Sequence, residues 1–239
     1  MLKKLKSIIT WIVFSPRCLL CKTETFEDNS LCAVCWSKLS FIVENICDRC
    51  GIPYFESSSC SCKKFKTYYS KIRAALVYDQ HSDHLIYDFK YNDNLQAKFT
   101  ISKLMLIAGE ELIRNSDILM PVPLHKIRLR KRKFNQSLVL AKELAKNTKL
   151  KLIPDLVKRI KDTPSQSGLN QKLRRANMKS AFVFNENYRK AIKDKVIIII
   201  DDVITTGSTI NECAKVLKQN GAREVHALSF ARTVKHSDL

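Results

Sequence analysis

Two neighbouring carboxylates and a run of small, hydroxyl-bearing residues follow an aliphatic segment towards the carboxyl end of the chain. Residues 196–200 read Val-Ile-Ile-Ile-Ile, and Asp201 and Asp202 come directly after them. Carboxylates accept hydrogen bonds from a ribose diol or bind Mg²⁺, and small residues leave backbone amides open to a phosphate. The pattern predicts a pocket for a phosphorylated ribose, with both acids as candidate catalytic residues. The predicted phosphoribosyl-binding residues are Asp201, Asp202, Val203, Thr205, Thr206, Gly207, Ser208 and Thr209.

A buried strand before these residues and a helix after them must position the pocket. The aliphatic run suits a parallel strand covered on both faces, and ligands of open α/β sheets bind outside the carboxyl ends of such strands. After the loop, Ile210, Ala214 and Leu217 share one helical face, so amides at the helix start can bind an anion. The alternative is an ordinary strand, turn and capped helix with solvated acids. The glycine-rich patterns of nucleoside triphosphatases and dinucleotide-binding proteins do not occur in the sequence.

The second candidate site is a basic cluster, residues 125–133, that contains no acidic residue. It follows a predicted strand, residues 117–123, that ends in prolines, and it precedes a predicted helix over 136–146. The cluster is therefore predicted to be a loop on the same side of the sheet as Asp201, where it could hold pyrophosphate or DNA phosphate. A solvated basic face is the alternative. The candidate residues are Arg128, Arg130, Lys131, Arg132 and Lys133.

The charge of the whole chain also indicates a polyanionic partner. Its 239 residues include 42 Lys and Arg against 23 Asp and Glu, which gives a net charge of +19. A second basic stretch, residues 172–177, could be a flap or a nucleic-acid contact. The aromatic residues Trp36, Phe65, Tyr68 and Tyr69 could stack nucleic-acid bases, although single aromatic residues are more typical of a core.

Eight of the nine cysteines form four closely spaced pairs near the start of the chain. Such pairs direct thiolates at one centre, and two pairs make a tetrahedral zinc site. A disulfide framework is the alternative, but no convincing secretory signal precedes the cysteines, and zinc thiolates suit a reducing cytoplasm. One or two ions fit the spacing, and sequential and crossed pairing both remain open. The predicted ligands are Cys18, Cys21, Cys32, Cys35, Cys47, Cys50, Cys60 and Cys62, whereas Cys213 is predicted to be a core residue.

The order of these features predicts two units joined by a connecting segment. Residues 1–65 are predicted to hold an amino-terminal helix and a zinc-ribbon module, and residues 66–95 to connect it to the rest. Residues 96–239 are predicted to form an α/β domain with a mostly parallel sheet flanked by helices. Within this domain a helix is predicted over 101–114 and a strand near 156–160.

No part of the sequence suggests a membrane span. The apolar residues 8–14, which follow three lysines, are too few to cross a bilayer and are predicted to form a short amphipathic segment that packs on the body. Together with the expected zinc thiolates, this predicts a cytoplasmic protein.

Residues 196–209 resemble the short signature with which type I phosphoribosyltransferases bind phosphoribosyl pyrophosphate. Nearly the whole chain is similar to the ComF family of bacterial competence proteins, including its double zinc ribbon. Lys133 is a departure, because the family usually has glycine there, and a non-glycine residue should stiffen the loop. Besides the cysteines, the similarity rests on residues 85–91 and on Pro121, Val122, Pro123, Leu124, Arg128, Arg132, Phe134, Asn135, Gln136, Ser137, Gln166, Leu169, Arg174, Arg175, Asn177 and Phe182.

The resemblance implies a phosphoribosyltransferase-like fold and a role in natural transformation, in which the protein handles single-stranded DNA in the cytoplasm. It implies zinc, Mg²⁺ with phosphoribosyl pyrophosphate, and other competence proteins as partners. Two alternatives remain open at this point. The chain could be an active phosphoribosyltransferase of nucleotide metabolism, or its zinc ribbons could serve as a scaffold for protein interactions.

Overall fold

The computed structural model describes residues 15–54, 60, 62, 66–91, 96–161 and 180–234. The side chains of Tyr91 and Lys131 are outside this description. Three predicted features also lie outside the described residues: the amphipathic segment 8–14, the basic stretch 172–177 and Phe65. Within the described ranges, no helix has both the length and the apolar composition that a membrane span requires.

The centre of the protein is a sheet of five parallel strands in the order β1-β7-β6-β2-β3. Two further strands, β4 and β5, form a separate antiparallel pair. The predicted parallel sheet is therefore confirmed. The strands are β1 (Ile72–Val77), β2 (Ile118–Pro121), β3 (Lys151–Leu152), β4 (Val157–Arg159), β5 (Phe182–Phe184), β6 (Val196–Ile204) and β7 (Glu224–Arg232).

Helices cover both faces of this sheet. Ile197 and Ile199 of β6 belong to one core with the helix over residues 208–219, whereas Ile198 and Ile200 belong to a second core with the helices over 97–108 and 136–146. This alternation is the two-residue period of a strand that is buried on both sides. The helices are α1 (Ala33–Trp36), α2 (Gln80–Tyr91), α3 (Ala97–Ala108), α4 (Glu110–Arg114), α5 (Lys126–Arg132), α6 (Gln136–Lys146), α7 (Arg189–Ile192) and α8 (Ser208–Gln219).

Residues 66–95, expected only to connect two units, supply an element of the central sheet. Their strand β1 pairs in parallel with β7, from Ile72 opposite Ala227 to Val77 opposite Arg232. Helix α2 follows β1 directly. This segment is therefore integral to the α/β part of the structure.

One predicted helix is divided in the structure, and one predicted strand pairs outside the central sheet. The helix predicted over 101–114 is divided into α3 and α4 at Gly109, where an added Cβ would lie 2.5 Å from the Leu228 side chain. A glycine that permits such close packing also weakens the helix. The strand predicted near 156–160 is β4, which pairs with β5 outside the central sheet.

The basic cluster forms a helix, so the prediction of a loop is wrong. Helix α5 begins after His125, whose backbone is extended, and it ends at Lys133. Its seven residues are Lys, Arg, Leu and Ile, most of which are strong helix formers, and this local preference outweighs mutual repulsion of the cations. Lys133 has a φ of 61°, so the position where the family usually has glycine adopts a conformation that favours glycine.

Replacing Lys133 with glycine is expected to stabilise the protein by about 0.5–1 kcal/mol, because relief of the left-handed backbone strain exceeds the added flexibility of the unfolded chain. Thermal unfolding would measure the effect. A matched Arg130→Gly variant, which removes a cation within the same helix, should instead be destabilising by about 1 kcal/mol. Equal destabilisation by both glycines would contradict the strain at Lys133.

Candidate functional site

A cleft of about 390 Å³ opens at the carboxyl ends of β2 and β6, and helix α5 lies along it. Asp201 and Asp202 of β6 line the cleft together with Arg128 and Arg132 of α5. Because all strands of the sheet are parallel, their carboxyl ends meet at one side, which is where α/β sheets bind ligands. The fold thus brings the predicted acids and part of the basic cluster into one cavity.

Asp201 is held by the start of helix α6. Asn135 caps this helix by accepting a hydrogen bond from the Leu138 N–H at 3.4 Å, and its amide donates to the Val122 carbonyl at 3.0 Å. This tie between α6 and the end of β2 lets the Ser137 hydroxyl donate to Asp201 Oδ1 at 3.0 Å. A fixed hydrogen-bond network of this kind pre-orients a carboxylate.

Asp202 is paired with Lys90 of α2. The Lys90 Nζ lies 2.6 Å from Asp202 Oδ2, and the Val203 N–H donates to Asp202 Oδ1 at 2.7 Å. The neighbouring Asp202 N–H donates to Asp201 Oδ1 at 3.0 Å. The two acids therefore have different partners, although they are adjacent in sequence.

These partners shift the two pKa values in opposite directions. Burial, with the nearby charge of Asp202, raises the pKa of Asp201. Burial acts in the same direction on Asp202, but the charge and hydrogen bond of Lys90 outweigh it and lower its pKa. Asp202 is consequently the more acidic group of the pair, and Asp201 holds its proton more tightly than an exposed carboxyl group does.

The small-residue loop after β6 separates two cavities. Thr205 and Thr209 line the cleft, whereas Thr206, Gly207 and Ser208 line a second cavity of about 200 Å³. Gly207 has a φ of 72°, a backbone conformation that favours glycine, and it caps helix α8. The loop residues that were predicted to bind one ligand therefore line two different cavities.

The basic residues in and next to helix α5 differ in whether their side chains line the cleft. Arg128 and Arg132, four residues apart, are both partly buried along the cleft. Arg130 and Lys133 are exposed and do not line the cleft. Only part of the cluster can therefore contact a ligand in the cleft directly.

Several cleft residues, among them Lys90, Ser137 and Arg159, were not identified as site residues from the sequence. Lys90 and Ser137 fall in segments that resemble the ComF family, and that resemblance was the only signal for them. Arg159, on β4, also lines the cleft, and nothing in the sequence marked it. Their roles depend on long-range packing, which sequence spacing does not reveal.

The eight clustered cysteines form two separate tetrads. In each tetrad the four sulfur atoms lie within 4.8 Å of one another. The Cys21 and Cys32 sulfurs are 3.5 Å apart, and those of Cys47 and Cys62 are 3.6 Å apart. Tetrahedral Zn–S bonds of about 2.3 Å place sulfurs about 3.8 Å apart, so the donor sets fit zinc. The tetrads are Cys18, Cys21, Cys32 and Cys35, and Cys47, Cys50, Cys60 and Cys62.

The pairing of the cysteine motifs is therefore sequential, which resolves the alternative of a crossed arrangement. The backbone N–H groups of Cys32 and Cys62 donate to the sulfurs of Cys18 and Cys60 at 3.3 and 3.2 Å. Such hydrogen bonds stabilise thiolates at a metal centre. Cys213 is buried on α8 within the core, and no other thiol is grouped with it among the described residues.

The ribbon region packs on the α/β body. Leu19 and Leu39 belong to the core that contains α3 and α6. Lys22, directly after the first cysteine pair, lies 3.7 Å from Asp88 of α2. Gly51 has a φ of 65°, and an added Cβ would lie 2.4 Å from the Ile72 carbonyl oxygen of β1. The region that holds the cysteine tetrads therefore contacts β1 and α2, and α2 supplies Lys90 to the cleft.

Comparison with known protein families agrees with both parts of the structure. The double zinc ribbon domain model matches residues 9–64, and the phosphoribosyl transferase domain model matches residues 135–237. The fold is therefore a phosphoribosyltransferase-like α/β fold preceded by a cysteine-rich zinc-ribbon region. A hypoxanthine phosphoribosyltransferase structure from Staphylococcus aureus aligns with 58% of this chain and 76% of that chain, at 13% identity and a TM-score of 0.37.

Two relatives align over most of the chain. Competence protein F of Haemophilus influenzae Rd is 29% identical over 227 residues, which cover 92% of this chain and 98% of that protein. The DNA utilization protein YhgH of Escherichia coli O6:H1 is 28% identical over 225 residues, which cover 91% and 97%. Together with the two domain matches, these alignments confirm the resemblance to the ComF family of competence proteins.

Proposed function

We propose that this protein handles single-stranded DNA during natural transformation and binds phosphoribosyl pyrophosphate in the cleft at the carboxyl ends of β2 and β6. One observation carries the proposal for the cleft. Two carboxylates at the tip of a central strand face two arginines of α5 across a single cavity. A sugar diol and a diphosphate on one ligand require these opposite charges at a short distance from each other.

Each group in the cleft has a role in this proposal. Asp201 and Asp202 bind the ribose hydroxyls, Asp202 also holds the divalent ion, and Arg128 and Arg132 bind the diphosphate. The hydroxyls of Thr205 and Thr209, which line the cleft, bind the 5′-phosphate together with backbone amides at the start of α8. Mg²⁺ suits the carboxylate oxygens and, when bound, neutralises charge on the diphosphate.

The proposed DNA-handling role rests on charge and on the relatives. The net charge of +19 favours anionic partners, and Arg130 of α5 and Lys133, the residue after it, are exposed cations outside the cleft. Trp36 remains 44% exposed on the ribbon region and is available to stack a base, whereas Tyr69 is buried. The two aligned relatives are named for competence and for DNA utilization. In this role the protein acts in the cytoplasm.

Two double variants separate the proposed ligands. Arg128→Ala with Arg132→Ala should weaken binding of phosphoribosyl pyrophosphate with Mg²⁺ by at least tenfold, as measured by calorimetry. Arg130→Ala with Lys133→Ala removes the same charge and should leave that affinity within twofold. The second pair should weaken single-stranded DNA binding and reduce its log–log salt slope by about 1.4, because two cations no longer neutralise phosphates.

Three results would count against the proposal. The sugar-phosphate role fails if the wild-type protein does not bind phosphoribosyl pyrophosphate. The cleft assignment fails if the two double variants affect that ligand equally. The DNA role fails if binding of single strands is insensitive to salt. Release of pyrophosphate with some acceptor, lost in Asp202→Asn, would favour the alternative of an active phosphoribosyltransferase.

A further inference from the structure

The Lys90 side chain makes a close, mostly buried contact with one of the cleft acids. Its Nζ lies 2.6 Å from Asp202 Oδ2, and the two side chains are only 16% and 13% exposed. The other carboxylate oxygen of Asp202 accepts the Val203 N–H at 2.7 Å. One oxygen of Asp202 therefore forms an ion pair with Lys90, and the other accepts a backbone hydrogen bond.

Helix α2 holds Lys90 in this position through the core. Leu85, Ile86 and Phe89 of the same helix are at most 2% exposed. The Phe89 ring lies 6.1 Å from the ring of Phe134, which is two residues beyond the last residue of α5. Lys90 therefore approaches Asp202 from a helix that is packed into the core. This helix lies outside both regions that match the family models, residues 9–64 and 135–237.

An ammonium group on Asp202 and a divalent cation on the same carboxylate oxygen exclude each other. Magnesium and manganese prefer carboxylate oxygens, and a neighbouring cation opposes their binding. Lys90 therefore competes with any divalent ion that binds to the Asp202 carboxylate. The competition disappears only if another anion attracts the ammonium group away.

We infer that Lys90 is a positioning residue that occupies Asp202 until a diphosphate and its divalent ion enter the cleft together. This inference rests on the proposed binding of phosphoribosyl pyrophosphate. The diphosphate provides the anion that attracts Lys90, and its metal ion replaces Lys90 on Asp202. The cleft then has low affinity for a free divalent ion and accepts the ion with its sugar ligand.

The test uses Lys90→Met and Lys90→Arg in the full chain, with Mn²⁺ as the probe and no sugar phosphate. Lys90→Met should bind Mn²⁺ at least tenfold more tightly than the wild-type protein by calorimetry. Its thermal midpoint should fall relative to wild type, because an uncompensated buried carboxylate is destabilising, and Mn²⁺ should restore it. Lys90→Arg, which keeps the cation, should behave as the wild-type protein does.

Two controls distinguish a metal effect from a packing effect. Lys22→Met removes the contact with Asp88 on the same helix and should not change Mn²⁺ affinity. Lys90→Met combined with Asp202→Asn should lose the gain in Mn²⁺ affinity, because the freed carboxylate is then absent.

Unchanged Mn²⁺ affinity in Lys90→Met would overturn the inference. So would a gain of equal size in Lys90→Met with Asp202→Asn, because the gain would then not depend on Asp202. These measurements need no sugar phosphate, so they test the competition between Lys90 and the metal ion at Asp202 whether or not phosphoribosyl pyrophosphate binds. Failure of the wild-type protein to bind phosphoribosyl pyrophosphate with Mg²⁺ would instead reject the proposed function.

Discussion

A Gly207→Val variant is expected to lose at least 30-fold in affinity for phosphoribosyl pyrophosphate, a loss of about 2 kcal/mol. Gly207 has a φ of 72°, and a β-branched residue is a genuine outlier in that region. The loop would have to move to a negative φ, and the amides at the start of α8 would then turn away from the ligand. Calorimetry with Mg²⁺ and phosphoribosyl pyrophosphate measures the effect.

Gly221 provides a matched control at the other end of the same helix. It has a φ of 102°, and an added Cβ there would meet only ordinary contacts, as at Gly207. Gly221→Val should lower the thermal midpoint by a similar amount but keep the affinity within twofold. Similar losses of affinity in both variants would show that helix stability, and not the loop, controls binding.

Removing one zinc tetrad is expected to destabilise the protein strongly. Cys50→Ser should reduce the zinc content from two ions to one and lower the thermal midpoint by more than about 10 °C. The reason is that structural zinc contributes folding free energy directly, and a region as small as residues 15–62 buries little core without it. Elemental analysis by mass spectrometry and thermal unfolding measure the two effects.

Cys213→Ser is the control, because Cys213 is equally buried but lies on α8 apart from both tetrads. It should keep two zinc ions and change the midpoint by only a few degrees. A wild-type protein without zinc, with eight cysteines in disulfides by intact-mass analysis, would contradict the zinc assignment. Unchanged zinc content in Cys50→Ser would contradict the second tetrad in particular.

The sequence predicted the elements whose signals are local. The aliphatic run of β6, the glycine of the loop and the apolar face of α8 all follow from short-range periodicity. The cysteine pairs were also identified, because metal ligands have characteristic spacing. The pairing of the tetrads required three-dimensional information, since both possible arrangements use the same spacings.

The sequence was less informative where tertiary contacts determine the site. The basic residues were expected in a loop, but their intrinsic helix preference makes α5 and directs Arg128 and Arg132 into the cleft and Arg130 away from it. Lys90 reaches Asp202 across more than 100 residues of sequence. No pattern within a short window encodes such a contact.

The pairing of β1 with β7 has a practical consequence for dividing the protein. A fragment that begins at residue 96 would lack β1, and residues 227–232 of β7 would present the backbone hydrogen-bonding groups of one strand edge to solvent. Exposed, mostly apolar strands of this length recruit strands from other molecules. Such a fragment should self-associate, so biochemical work on the cleft should retain the residues before it.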